Sequence, residues 1–383
     1  MCSITSCNIC VSAKCGEWRQ KMNCYINTFY EFNNYGTKLQ NYALLKTFEK
    51  YNYEVETIYI NDYQNISKNI YKHILSIIPA ITEKQKVWKN EIKKKNAFRA
   101  FDKQLHYKKI SYSKLTKTQF NDSIAIVGSD QVWSPEHLIK HKKDFDLFFL
   151  KYIEKNKRFC YAPSFGVSCI PNELKSKYAD SVNDLCMIST REEQGKKILQ
   201  ELTQKEVTVV PDPVFLLTRA EWSCINSVQL KQQKYVFIYF LDVIKDNVWN
   251  KINAFAKKHN YKIVNIAGNT FDKKKNIISP DLFVKYIENS ICVFTDSFHA
   301  ATFSIIMERP FIVFERFDVK QSSRIENLLD KFEYDTNYVR KNDIETDDFI
   351  IDPIYNESSK RFLDRERNIG LNYIHKMIRV GEE

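Results

Sequence analysis

Residues 290–314, SICVFTDSFHAATFSIIMERPFIVF, contain two short apolar runs with a helical pattern between them. Each apolar run is rich in β-branched and aromatic side chains, which is typical of a buried strand. Where the first run ends, Asp296, Ser297 and His299 precede or enter a helix that begins near Phe298. The stretch therefore predicts a β–α–β unit with polar side chains at the carboxyl end of a parallel strand.

Strand-like runs alternate with helical patterns along the rest of the chain, as in EVETIYI, SIAIV, EVTVVP and KYVFIYFL. This alternation predicts an α/β fold in which helices cover both faces of parallel sheets. The alternation occurs twice, before and after the conformationally restricted segment VVPDPVFLL. A chain of 383 residues is also longer than a single hydrophobic core usually supports. We therefore predict two Rossmann-like domains, residues 22–205 and 206–383, that face each other across a cleft. The last amphipathic segment, SKRFLDRERNIGLNYIHKMIRV, is expected to return to the first domain.

The first 21 residues form a cysteine-rich extension. Cys2, Cys7, Cys10 and Cys15 have the order C-x4-C-x2-C-x4-C, a spacing that also occurs among iron–sulfur and zinc ligands. No further ligand residue accompanies them, so we favour a dispensable extension with Met22 as an alternative start, and we predict no metal site. Metal binding by these four cysteines is the alternative interpretation.

Other features of the chain predict a cytoplasmic protein. Of ten cysteines, Cys24, Cys160, Cys186 and Cys292 lie within apolar runs, as free thiols do in a reducing compartment. No apolar run approaches the ~20 residues that a membrane-spanning helix needs. No basic segment followed by an apolar core marks a secretory signal.

The net charge of +11 is concentrated in a basic helical insertion, residues 61–120, with 14 Lys and Arg against 4 Asp and Glu. Its apolar side chains recur at helical spacing: Trp88, Ile92, Phe98, Phe101 and Leu105. The charges are interpreted as a solvated helix face. A basic surface for an anionic membrane or a phosphorylated acceptor, with the protein peripheral at the inner membrane face, is the alternative. Nucleic acid is not an expected partner, because the sequence contains no motif typical of nucleic-acid-binding domains.

Polar side chains also follow several other predicted strands. They include Ser129 and Asp130 in VGSDQVW, Ser164 in YAPSFG and Arg191 in STREEQG. Ligands of open α/β sheets bind at the carboxyl ends of strands, so these side chains are expected to converge on one wall of the cleft. The segment FERFDVKQSSR adds Arg316, Lys320 and Arg324, and guanidinium groups in particular match carboxylates and phosphates.

His299 is the candidate catalytic residue. In the first turn of a helix it lies among unpaired backbone amides, which favour an anion. A histidine beside such an anion can act as a general acid. Asp296 and Ser297 are expected either to cap this helix or to contact the ligand.

Several enzyme classes are disfavoured by the motifs that the chain lacks. It has neither G-x-x-x-x-G-K-[ST] nor G-x-G-x-x-G, which argues against a P-loop ATPase and an ordinary dehydrogenase. It has neither G-x-S-x-G nor H-E-x-x-H, which argues against the common hydrolases and metalloproteases.

Taken together, the motifs resemble those of the polysaccharide pyruvyl transferase family. The resemblance covers about residues 22–330 and rests on INTFYEFNNYGTKLQNYAL, VGSDQVW, YAPSFG, STREEQG, DPVFLL and TDSFHAATFSIIMERPFIVF, in the family's order. It implies a GT-B-like arrangement of the two domains. It also implies transfer of pyruvate from phosphoenolpyruvate to a sugar of a cell-surface polysaccharide or its precursor, as a ketal.

The resemblance also implies roles for individual residues. His299 and Arg191 bind phosphoenolpyruvate, with Lys320 as the basic residue after the last strand. Asn34, Tyr35 and Gly36 form the loop after the first strand, and Asp212 is the acidic residue of the DP motif. Phosphoenolpyruvate is a substrate, the acceptor is a sugar or a lipid-linked oligosaccharide, and no cofactor is expected.

Two other functions compete with this one. A GT-B glycosyltransferase would share the architecture but use a nucleotide sugar, because a fold does not determine a function. A redox or binding protein would hold a cluster on its N-terminal cysteines and use the α/β part as a scaffold.

Overall fold

The structure is a computed structural model that describes residues 21–30, 33–61, 83–266, 276–316, 322–334, 337–339 and 357–382. The cysteine-rich extension lies outside this range except for Lys21, and so does Lys320. Among the described residues no helix is long and apolar enough to span a membrane.

The first half of the chain forms a parallel five-stranded sheet with the order β3-β2-β1-β4-β5. Its strands are β1 (Asn23–Asn27), β2 (Glu54–Ile60), β3 (Tyr107–Ile110), β4 (Ser123–Val127) and β5 (Arg158–Cys160). Nearly every residue of β1 and β4 is buried, as expected for central strands covered by helices on both faces. The helices are α1 (Tyr35–Lys50), α2 (Glu83–Asp102), α3 (Pro135–Lys140), α4 (Lys142–Phe148), α5 (Asn172–Asn183) and α6 (Glu193–Gln200).

Two further parallel strands continue this half, β6 (Ile188–Thr190) and β7 (Val207–Val209). A bridge between Phe159 and Met187 places them next to β5. Because β7 pairs with β6, strand pairing continues past residue 205, and the bounds of the two domains stay a prediction.

The second half forms another parallel sheet, with the order β9-β8-β10-β11-β12. Its strands are β8 (Tyr235–Tyr239), β9 (Lys262–Ile266), β10 (Cys292–Thr295), β11 (Phe311–Phe314) and β12 (Tyr338–Val339). The helices are α7 (Arg219–Ser223), α8 (Asp246–Lys258), α9 (Pro280–Glu288), α10 (Phe298–Ile306), α11 (Ser322–Phe332) and α12 (Glu357–Glu382). The α/β fold with two parallel, Rossmann-like sheets is confirmed.

Each sheet has a point where the strand order reverses, and this point positions the site. In the first sheet it lies between β1 and β4, and in the second between β8 and β10. Loops that leave neighbouring strands in opposite directions open a crevice at such a point. The crevice of the first sheet is bordered by Asn34 and Asp130, and that of the second by Leu241 and Asp296.

The C-terminal helix α12 returns to the first sheet, as the sequence predicts. Tyr373, Ile374 and Met377 are buried in one apolar cluster with residues of β1, β4 and β5. Closer to its start, α12 packs against α11 of the second half. The helix thus contacts both halves of the chain.

The basic insertion contributes to the core between the halves. Phe98, Phe101 and Leu105 are buried in an apolar cluster that also contains Tyr35 of α1 and Phe283 of α9. Residues 62–82 of the insertion lie outside the described residues.

Candidate active site

The junction between β10 and α10 is stabilised by a series of local hydrogen bonds. Thr295 donates its hydroxyl to the carbonyl of Tyr239 on β8 (2.6 Å) and accepts from the amide of Ser297 (3.0 Å). Ser297 has extended backbone geometry and caps α10 by accepting from the amide of Ala300 (3.5 Å). His299 therefore enters the first turn of α10, in the predicted position.

Asp296 does not cap the helix. Its carboxylate oxygens accept from the backbone amides of Leu241 (2.7 Å) and Asp242 (2.9 Å), and so it stabilises the turn after β8. Burial raises the pKa of Asp296 to about 6, although these amides and Arg316 favour the charged form. Asp296 thus joins the two strands at the reversal point of the second sheet.

His299, Arg191 and Asp212 form a cluster that joins three separate segments. Arg191 follows β6 and donates from Nη1 to Oδ2 of Asp212 at 2.8 Å. The same oxygen lies 3.5 Å from Nε2 of His299, a distance of ion-pair contact without an aligned hydrogen bond. The other oxygen of Asp212 accepts from the amide of Val214 (3.2 Å).

Asp212 is the buried anion of this cluster. Its side chain is 0% exposed, and that of Arg191 is 5% exposed. Burial by itself would raise the pKa of Asp212, but His299 and Arg191 outweigh burial and hold it well below its ordinary value of 3.8. The aspartate is therefore charged and orients both partners.

The imidazole of His299 lies against α1. A Cβ atom added to Gly36 would be 2.1 Å from its Nδ1 atom, so only glycine leaves room for the ring at this distance. Asn34 caps α1 by accepting from the amide of Thr37 (3.4 Å), and Thr37 donates its hydroxyl to Asp130 (2.7 Å). The loops after β1 and β4 are thereby tied together at the reversal point of the first sheet.

These segments enclose a cavity of about 240 Å³ between the two sheets, which we call the cleft cavity. The N-termini of α1 and α10 both border it and favour an anionic ligand. Its lining consists of Asn34, Thr37, Asp130, Gln131, Leu241, Asp296, Ser297, Phe298, His299, Arg316, Arg324 and Ile325.

A second cavity of about 360 Å³ adjoins the first and is called here the helix cavity, because α11 and α12 form part of its wall. Phe298 and Arg324 line both cavities. The remaining lining residues are Arg191, Glu192, Glu193, Val209, Val210, Pro211, Asp212, Phe215, Asn327, Leu328, Lys331, Phe332, Glu366 and Ile369.

Several predicted site residues are placed away from the cavities. Tyr35 is 1% exposed, stacks on Phe283 (4.5 Å between centroids) and donates to the carbonyl of Ile278 (3.0 Å). Ser129 is buried and donates to the carbonyl of Ala162 (2.9 Å). Ser164 is buried and donates to Glu192. These three side chains support the cavity walls rather than line them.

Sequence reasoning missed Phe298, which lies in both cavities, and Thr37, which links the first two loops. The signal for Phe298 is its place beside His299 in the first turn of α10. Among the described residues no group of three or more His, Cys, Asp or Glu side chains is arranged to hold a metal ion.

The fold and the site define a GT-B-like α/β protein, with two Rossmann-like sheets and a polar, cation-containing cleft between them. A family model described as polysaccharide pyruvyl transferase matches residues 34–318, most of the chain. The chain belongs to this family, a family of transferases.

The chain shows distant likeness to solved structures of nucleotide-sugar enzymes. The UDP-N-acetylglucosamine 2-epimerase of Rickettsia bellii is 10% identical, with 94% of this chain and 96% of that chain covered and a TM-score of 0.47. An α-glucosyltransferase in complex with UDP and a 13-mer DNA is 11% identical, with 94% and 100% covered and a TM-score of 0.46. A search of curated proteins gives no significant match. None of these likenesses informs the chemistry.

Proposed function

We propose that the protein transfers pyruvate from phosphoenolpyruvate to a sugar of a polysaccharide or its precursor, and that the product is a cyclic ketal. The observation that carries the proposal is the His299–Asp212–Arg191 cluster, found in a chain of the pyruvyl transferase family. A cation and a candidate general acid held by one buried carboxylate are the groups that an enol phosphate requires.

The donor is proposed to bind where the two cavities meet, with its anionic groups toward Arg191. Guanidinium groups bind carboxylate and phosphate through paired hydrogen bonds. The ring of His299 lies next to Asp212 on one side and fills the space left by Gly36 on the other. In this position it is proposed to face the enol carbon. Orientation of this kind is a large part of what a transferase supplies.

The reaction begins when His299 donates a proton to the methylene carbon, which becomes the methyl group of the product. The adjacent carbon becomes electron-poor and is attacked by one hydroxyl of the acceptor sugar. A second hydroxyl of the same sugar then displaces phosphate and closes the ketal ring. One hydroxyl proton is transferred to the base form of His299, which regenerates the general acid, and the other is transferred to the departing phosphate.

The acceptor is proposed to be a sugar with two neighbouring hydroxyls, either free in a polysaccharide precursor or linked to a lipid. Asp130, Gln131 and Asn34 give the cleft cavity the hydrogen-bonding groups that a sugar needs. The scheme requires no metal and no cofactor. Contact of the basic insertion with an anionic membrane stays a prediction.

The first experiment measures thermal unfolding of the full-length protein with phosphoenolpyruvate and, separately, with a panel of nucleotide sugars. Ligand at about 100 times its Kd adds about 2.7 kcal/mol of stability. We expect this shift with phosphoenolpyruvate, its reduction in His299→Ala, and its retention in His141→Ala, where the histidine is exposed. A shift with a nucleotide sugar alone would overturn the proposal and favour glycosyl transfer.

A further inference from the structure

Two arginines lie beside one phenylalanine where the two cavities meet. The guanidinium carbon of Arg324 lies 5.1 Å from the centroid of the Phe298 ring, and that of Arg191 lies 5.9 Å from it. Arg324 comes from α11 and Arg191 from the end of β6. The fold thus gathers two like charges from distant segments around one aromatic ring.

Arg191 has hydrogen-bonding capacity that no described residue uses. Its Nη1 atom is paired with Asp212, whereas its Nε and Nη2 atoms are buried without a hydrogen-bond partner among the described residues. Buried donors are nearly always paired in folded proteins, by protein groups, water or a ligand. Since Arg191 lines the helix cavity, its unpaired donors suit an acceptor bound there.

Arg324 is also incompletely neutralised. Its Nε atom lies 3.9 Å from Oε2 of Glu192, too far for a hydrogen bond, and the other oxygen of Glu192 accepts from Ser164. Burial lowers the pKa of Arg324 to about 10, and the positive charge of Arg191 acts in the same direction. The two guanidinium groups therefore repel each other when no ligand anion is bound between them.

We propose that Arg324 and Arg191 together hold the anionic end of the donor, a carboxylate or a phosphate, beside Phe298. Arg324 is then a donor-binding residue, and an anion between the two cations relieves their repulsion. The naming of this anion as phosphoenolpyruvate rests on the proposed function. The anion site itself rests only on the two arginines and the cavity.

Calorimetric titration of the full-length protein with phosphoenolpyruvate, pyruvate and orthophosphate tests the proposal. We expect Arg324→Gln to weaken phosphoenolpyruvate binding by about 10- to 100-fold, the loss of one charge-assisted contact. Arg324→Lys keeps the positive charge but lacks the planar guanidinium that forms paired hydrogen bonds, so we expect a smaller loss of affinity for phosphoenolpyruvate. Arg219→Gln removes a partly exposed arginine of α7 that pairs with Glu308 and lines neither cavity, and its affinity should match that of the unmodified protein.

A second measurement separates ligand binding from a structural role. Without ligand, Arg324→Gln removes a charge that Arg191 repels, so its Tm should equal or exceed that of the unmodified protein. A clear fall in Tm together with unchanged binding would show that Arg324 is structural and would overturn the proposal.

The remaining outcomes separate this proposal from the proposed function. If phosphoenolpyruvate binds equally well to Arg324→Gln, Arg324 is not a donor-binding residue, whereas the proposed pyruvyl transfer is unaffected. If orthophosphate binds and depends on Arg324 while phosphoenolpyruvate does not bind, the two arginines form an anion site but phosphoenolpyruvate is not the donor. If the unmodified protein binds none of the three anions, the proposed anion site is wrong as well.

Discussion

At the scale of single residues, Gly36 and His299 form a pair that no local pattern reveals. Gly36 lies in the first turn of α1 and His299 in the first turn of α10. The His299 ring lies directly against Gly36. The missing side chain of Gly36 provides the space that the imidazole occupies. A glycine within a helix is intrinsically unfavourable, so its presence here is explained by the contact.

Replacement of Gly36 by alanine tests this contact. A Cβ atom 2.1 Å from Nδ1 forces the ring of His299 to move, so we expect pyruvyl transfer to fall about 100-fold or more. Unfolding stability should fall by at most about 1–3 kcal/mol, the usual cost of overpacking, because alanine regains up to about 1 kcal/mol of helix propensity. The assay is phosphate release from phosphoenolpyruvate in the presence of an acceptor.

The matched control is Gly381→Ala, the same change near the end of α12, which should keep full activity. The double variant Gly36→Ala/His299→Ala should be no slower than His299→Ala alone, because both changes remove one interaction. Full activity of Gly36→Ala would show that the position of the ring does not matter.

At the scale of elements, α12 determines how the last part of the chain closes on the rest. Its Gly370 lies against Tyr161, Pro211 and Leu216. The helix backbone thus closely approaches residues 209–217, the segment that links the two halves of the chain. A Cβ atom at this position would be 2.5 Å from the Tyr161 hydroxyl and 2.7 Å from Leu216 Cδ2. The periodicity of the sequence predicts the helix, but the glycine contact decides how closely it packs.

Gly370→Leu is therefore expected to destabilise the protein by about 1–3 kcal/mol, the usual cost of overpacking. The intrinsic gain in helix propensity, below about 1 kcal/mol, does not offset it. Denaturant unfolding of this variant is compared with that of Asn368→Leu, which places leucine on the exposed face of the same helix. The control should stay within about 0.5 kcal/mol of the unmodified protein. Equal stability of the two variants would contradict the close approach.

At the scale of the whole molecule, the two halves share an apolar cluster and a buried ionic cluster. The first unites Tyr35 of α1 with Phe283 of α9. The second connects Arg191 after β6, Asp212 in the linking segment 209–217 and His299 on α10. Loss of the charge on Asp212 thus affects contacts on both sides of the cleft.

The ionic cluster predicts a pH dependence of unfolding. The pKa of Asp212 is depressed in the folded state, so its contribution is fully present above the ordinary value of 3.8 and is lost as pH falls below it. At pH 7 we expect Asp212→Asn to cost about 3–5 kcal/mol, because Arg191 is left as a buried, uncompensated charge. The difference from the unmodified protein should shrink as pH falls below about 4.

Urea unfolding between pH 7 and pH 3 measures both effects. The control is Asp364→Asn, which removes an exposed partner of Arg367 and should cost at most about 1 kcal/mol at any pH. If the two asparagine variants had the same stability at pH 7, Asp212 would not hold the cluster.

The sequence by itself determined the α/β class, the two parallel sheets, the return of α12 and the position of His299 in a first helical turn. These follow from local rules, because strand runs, helical periodicity and a capping side chain at Asp296 or Ser297 are readable within a few residues. The resemblance to the pyruvyl transferase family is likewise carried by short motifs, and the family is confirmed.

Only the tertiary structure decided which of the polar side chains at strand ends face a cavity. Tyr35 and Ser129 have the same local signals as Asn34 and Asp130, yet they point into the core. The pairing of Gly36 with His299, and of Arg324 with Arg191 around Phe298, joins residues more than 100 positions apart. Such contacts depend on how helices and sheets pack against one another, and packing is set by the whole set of apolar faces rather than by any short segment.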